Sequence, residues 1–72
     1  SSVTVITEEG LLADAAATAI TVAGLDDWLE VARSMGIETV MVIDEQGVVH
    51  MTRAMGARAE LLKDAEVKTY DF

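Results

Sequence analysis

The chain contains no cysteine and no proline, only five basic residues and a single histidine. Without cysteine there can be no disulfide framework, no thiolate zinc site and no cysteine nucleophile. One histidine cannot build a histidine metal cluster. A Ser-His-Asp arrangement would have to draw Ser1, Ser2 or Ser34 to His50, and none of these serines sits on a nucleophile elbow. The five glycines are isolated, so neither a G-x-G-x-x-G loop nor a phosphate-binding P-loop is present. Each glycine instead reads as a turn or a helix end. The lack of proline removes the usual loop punctuation and leaves element ends open by about two to four residues.

Scarce basic charge excludes two partner classes. Thirteen acidic residues against five basic ones give a net charge of −8. Nucleic-acid binding needs a basic stripe that displaces counterions, and an anionic membrane surface would repel this chain. The acidic residues are dispersed, as on a solvated surface. No signal peptide, lipidation motif or transmembrane run is expected, so no direct membrane insertion is either. A domain of 72 residues buries only about 60% of the surface its unfolded chain exposes. Hydrophobic residues nonetheless make up 51% of it, so some apolar surface is expected to meet further protein.

Val3 to Thr7 is β-branched and predicts a strand. Gly10 to Gly24 predicts a helix apolar almost all the way round, ended by Gly24. A second helix follows, capped by Asp26 or Asp27, with Trp28, Val31, Ala32 and Met35 inward and Gly36 as its left-handed terminator. Thr39–Ile43 and Val48–Thr52 predict strands joined through a type I turn at Asp44-Glu-Gln-Gly47. Ala54 to Leu62 has weaker helical character, with Met55, Ala59 and Leu62 as its apolar face. Val67 to Tyr70 suits a short edge strand or a loose tail. The predicted order is β-α-α-β-β-α(-β), an α+β fold with two helices packed on one face of a small sheet.

Within the first helix, Asp14 and Thr18 stand four residues apart, which places a carboxylate and a hydroxyl one turn apart on one face. Thr21 lies one further turn along. So apolar a helix is expected to be buried, and a buried lone Asp costs several kcal/mol unless paired. No Lys, Arg or His lies between Asp14 and Thr21. A divalent cation is one candidate partner. The alternative is structural: a hydrogen bond to a nearby loop, with Thr18 bonding back to the carbonyl of Asp14. His50 reads as a half-buried sheet residue, Trp28 and the methionines as core, and Asp44 and Glu45 as turn residues.

The run Ser2-Val-Thr-Val-Ile6, then Leu12-Ala-Asp-Ala-Ala-Ala-Thr-Ala19, then Gly24, a helix, Gly36 and a strand-turn-strand resembles the C-terminal part of the ApbE-like family, the FAD:protein FMN transferases. The likeness covers about residues 1 to 60 and rests on an SVTV strand followed by A-D-A-x-[AS]-T-A on a helix. It implies that Asp14 is a ligand of a Mg²⁺ ion beside the FAD pyrophosphate and that Thr18 is a second oxygen ligand. FAD would be the substrate and AMP the leaving group. FMN would pass to a Thr or Ser hydroxyl of an acceptor protein, typically a redox-pump subunit. Residues 1–72 would then be the C-terminal segment of the fold, inactive without an N-terminal flavin-binding part. That part and its H-x-x-D-P-x-T-G-type segment are not among these residues. Thr52-Arg-Ala-Met55 replaces the family's [ST]-P-G-[FM] stretch. The resemblance also implies export, to the bacterial periplasm or the outer face of the cytoplasmic membrane, often with a lipid anchor. Two rival readings share the scaffold: a FAD pyrophosphatase segment, and a non-catalytic acidic interaction module.

Overall fold

A computed structural model of the chain describes residues 1–58 and 65–72. Strand β1 (Ser2–Ile6) turns Val3 and Val5 inward and runs antiparallel to β2 (Thr39–Ile43), with Ser2 opposite Ile43 and Ile6 opposite Thr39. β2 pairs antiparallel with β3 (Val49–Thr52), placing Val42 opposite His50. β4 (Val67–Tyr70) then adds parallel to β3, with Thr52 opposite Tyr70. The result is a mixed sheet in the order β1-β2-β3-β4. Helix α1 (Gly10–Ser34) joins β1 to β2, and the short α2 (Arg53–Arg58) leaves β3.

Period-two alternation divides the sheet into two apolar faces. Val40 and Val42 meet Ala16, Ile20, Trp28 and Ala32 of α1, while Met41 and Ile43 meet Val49, Met51 and Met55. α1 and α2 therefore cover opposite faces. β3 is buried along its whole length, and Trp28 is among the largest side chains fully enclosed. Truncating an aromatic side chain buried in this way costs about 3–5 kcal/mol.

α1 is interrupted at Gly24, whose φ of 76° and ψ of −176° are non-helical. The two predicted helices are thus its two segments, and both lie on the same sheet face, as the alternation of their apolar residues requires. The second segment resumes immediately after Gly24, so Asp26 and Asp27 fall in its first turn rather than capping it. Neither makes a side-chain hydrogen bond among the described residues. Gly36, at φ 71°, ends the helix. Its N–H donates to the Arg33 carbonyl and that of Ile37 to the Ala32 carbonyl, which is the Schellman arrangement, with Ile37 buried against the core.

The hairpin turn follows the predicted chemistry. Gly47 N–H donates to the Asp44 carbonyl at 3.0 Å, and Asp44 Oδ1 accepts from the N–H groups of Gln46 and Val48. Thr52 starts α2: its Oγ1 accepts from Met55 N–H and also from Val40 N–H of β2. The Arg-Ala-Met sequence after Thr52 therefore continues as helix, with Ala54 a better helix former than the glycine it replaces. Of the predicted helix Ala54 to Leu62, α2 contains the part to Arg58. Ala59 and Leu62 lie outside the described residues. Among the described residues no helix is long and apolar enough to cross a membrane.

Candidate metal-binding face of the first helix

Asp14 and Thr18 share a face of α1 as their spacing requires, but that face points away from the sheet. Both are exposed, which corrects the expectation of a buried carboxylate. The physical reason is that Ala16 and Ile20 alone supply the fully buried contacts of this segment. Leu12 packs partly against the core, whereas other apolar residues form a second stripe that is exposed among the described residues. Leu11 is 90% exposed and Val22 is 83% exposed, with Ala15 and Thr18 exposed between them and Leu25 beyond the break. Spacings of four, three and four residues align Leu11, Ala15, Thr18 and Val22 along one line. Asp14 sits one turn from Leu11 and one from Thr18.

Thr18 Oγ1 donates to the Asp14 carbonyl at 3.1 Å, and Thr21 Oγ1 donates to the Ala17 carbonyl at 2.7 Å. The local hydrogen bond expected of Thr18 is thus present. It consumes the hydroxyl proton and leaves the exposed oxygen its acceptor lone pairs. The Asp14 carboxylate makes no hydrogen bond or ion pair among the described residues. One carboxylate and one hydroxyl, both open, are oxygen donors of the kind Mg²⁺ accepts, since it commonly takes one or two protein ligands plus water and phosphate. The donor set fits that ion as part of a site. Among the described residues no group of three or more His, Cys, Asp or Glu comes together to hold a metal.

A second polar cluster, missed in the sequence, lies under α1. His50 is only 6% exposed, more enclosed than the half-buried residue its strand pattern predicts. Its Nε2 lies 2.9 Å from Asp44 Oδ2 and its Nδ1 lies 2.8 Å from the Tyr70 hydroxyl. A carboxylate only accepts, so Nε2–H donates to Asp44, and with the ring neutral Nδ1 accepts from Tyr70. The His50 hydrogen bond holds the Asp44 carboxyl below its ordinary value of 3.8; backbone donation from Val48 and Gln46 acts the same way, against the opposing effect of desolvation. Tyr70 in turn meets the Trp28 indole edge-to-face at a 5.3 Å centroid separation. The signal for this cluster was an Asp at the hairpin turn with His50 and Tyr70 on adjacent strands, but it required the parallel β3–β4 register. Asp44, Glu45 and Gln46 also rim a groove of about 240 Å³, shared with Ser1, Ser2, Thr21 and Gly24.

A strand, a broken apolar helix with an outward Asp-Thr pair, and a hairpin define an α+β unit that presents oxygen donors on an uncovered helix face. Comparison with known proteins gives this class its family. The profile of the ApbE family matches residues 1–41, a stretch that includes both Asp14 and Thr18. A FAD:protein FMN transferase from Rhodobacter capsulatus is 44% identical over 62 residues, which cover 86% of this chain and 12% of that protein. No solved structure matches at a significant level. The chain belongs to the ApbE family.

Proposed function

We propose that this chain is the C-terminal segment of a FAD:protein FMN transferase domain and that Asp14 and Thr18 are its metal ligands. The observation that carries the reading is the open Asp14–Thr18 pair set within an uncovered apolar stripe. Apolar residues exposed as fully as Leu11 and Val22 mark a surface built to meet more protein. Protein seated on that stripe would bring Asp14 and Thr18 into an enclosed cleft, where the burial suggested by the all-round apolar helix would be realised. The relative is a FAD:protein FMN transferase, which supports FAD as the substrate and a protein as the acceptor.

In the proposed reaction, an acceptor Thr or Ser oxygen bonds to the FMN phosphorus, the phosphoanhydride bond to AMP breaks, and the hydroxyl proton is released. A Mg²⁺ ion held there would withdraw charge from the pyrophosphate. Asp14 contributes the negative charge that holds such an ion, and Thr18 a neutral oxygen one turn away. The bond from Thr18 to the Asp14 carbonyl fixes the hydroxyl's rotamer before any ion arrives and leaves the oxygen its acceptor lone pairs. With one carboxylate and one hydroxyl, the isolated chain should bind Mg²⁺ weakly and should not turn over FAD.

The test supplies the remainder of an ApbE-family domain to this segment and adds FAD and a candidate acceptor peptide, with or without Mg²⁺. Mass spectrometry should show Mg²⁺-dependent addition of FMN to the peptide. Free FMN and AMP without labelled peptide would replace the transferase with a FAD pyrophosphatase. No FAD turnover by a folded assembly would leave the acidic interaction module.

A further inference from the structure

β4 has little apolar character with which to hold its place. It is four residues long, occupies the sheet edge, and exposes Lys68 and Thr69. Beyond its parallel ladder to β3, its hold on the opposite side of the sheet is Val67, which packs with Ala65 against the cluster of Val49, Met51 and Met55. On the α1 side the ties run through side chains. The Tyr70 hydroxyl reaches His50, the Tyr70 ring meets Trp28, and the Arg33 guanidinium lies 5.3 Å from the centre of the Phe72 ring. Arg53 pairs with Asp71, but both are largely exposed, and such pairs contribute little.

We infer that Tyr70 is a structural clasp: through His50 and Asp44 on one side and Trp28 on the other, it holds β4 and the hairpin to the second segment of α1. Three separate elements meet at this one side chain. Asp44 uses Oδ1 to shape the turn and Oδ2 to hold His50, so the turn and the ring are fixed together. His50 is enclosed and spends both ring nitrogens, one on each neighbour. Trp28 has no other aromatic partner among the described residues, and it anchors the second segment of α1. The clasp is independent of the transferase reading, because it consists only of contacts within these residues.

The experiment is amide hydrogen exchange, read strand by strand on the 72-residue chain, with the emission of the single tryptophan recorded alongside. Tyr70→Phe keeps the ring and deletes the hydroxyl. Exchange in Val67–Tyr70 should then quicken roughly tenfold, the equivalent of one net hydrogen bond, while β1 and β2 keep their protection. Trp28 emission should stay as in the parent. His50→Gln retains a group near Nε2 and His50→Asn one near Nδ1; each should quicken β4 exchange, because the clasp needs both links, and parent-like β4 protection in either would overturn the inference. Unchanged β4 exchange in Tyr70→Phe would overturn the inference. Equal quickening in every strand would do the same, since that marks general destabilisation. Should the His50 variants fail to fold, Tyr70→Phe alone decides.

Discussion

The two polar clusters of this molecule lie on opposite sides of one helix and obey opposite rules. Beneath α1, Asp44, His50 and Tyr70 satisfy one another, and no buried side-chain polar atom among the described residues lacks a partner. Above it, Asp14 keeps a carboxylate that the described residues do not use, beside the exposed hydroxyl oxygen of Thr18. Enclosed groups of the first kind have used up their hydrogen-bonding capacity on the fold. Open groups of the second kind are available to something else.

The largest expected effect separates the two clusters by activity. In an assembled domain containing this segment, Asp14→Asn should lower Mg²⁺-dependent FMN transfer by about 10²-fold or more, in the range seen when one charge-stabilising group is removed from a site. Its exposed position predicts a stability change within about 0.5 kcal/mol. Initial rates at limiting Mg²⁺, set beside thermal melts, check both halves. Unchanged transfer would remove Asp14 from the site.

An enclosed residue should show the reverse pattern. Thr52 is fully buried, and its Oγ1 accepts from both Val40 and Met55 N–H groups. Thr52→Val keeps the shape and orphans those donors, so urea unfolding should show a loss of about 1–3 kcal/mol. FMN transfer by the folded fraction should hold. Gly36→Ala sharpens the contrast by touching neither cluster. No atom lies within 4 Å of where its Cβ would sit, so only the left-handed φ of 71° penalises it, by about 1–2 kcal/mol. Thr18→Val belongs with Asp14. Transfer should fall by less than for Asp14→Asn, because a neutral oxygen holds a cation less strongly than a carboxylate. A variant changed only in melting temperature would make that hydroxyl structural.

Local patterns in the sequence carried most of the fold. β-branched runs marked β1 and β2, Gly24 and Gly36 marked the helix break and stop, and the Asp44–Gly47 turn closed the predicted hairpin. The Asp14–Thr18 pairing and the Thr18 back-bond were legible too, because both follow from helical period alone. Two features were not legible, for one physical reason. Whether the outward stripe of α1 is covered depends on protein that these residues do not supply. Whether His50 meets Tyr70, twenty positions away, depends on β4 adding parallel to β3. Neither property is written in any short window of the chain.

The smallest effect is the one that pH brings out. Hydrogen bonding to His50 holds the folded-state carboxyl of Asp44 below its ordinary value of 3.8. A depressed folded value means that Asp44 favours the folded state above 3.8, and that this contribution fades as the pH falls through the lower folded value. Melting curves taken from neutral to acid should therefore show Asp44→Asn furthest below the parent chain at neutral pH, with the gap closing below 3.8. A constant gap for Asp44→Asn would mean that the carboxylate's charge contributes nothing, and no gap at any pH would mean that the turn's hydrogen bonds, which an amide oxygen can also accept, are all that Asp44 provides.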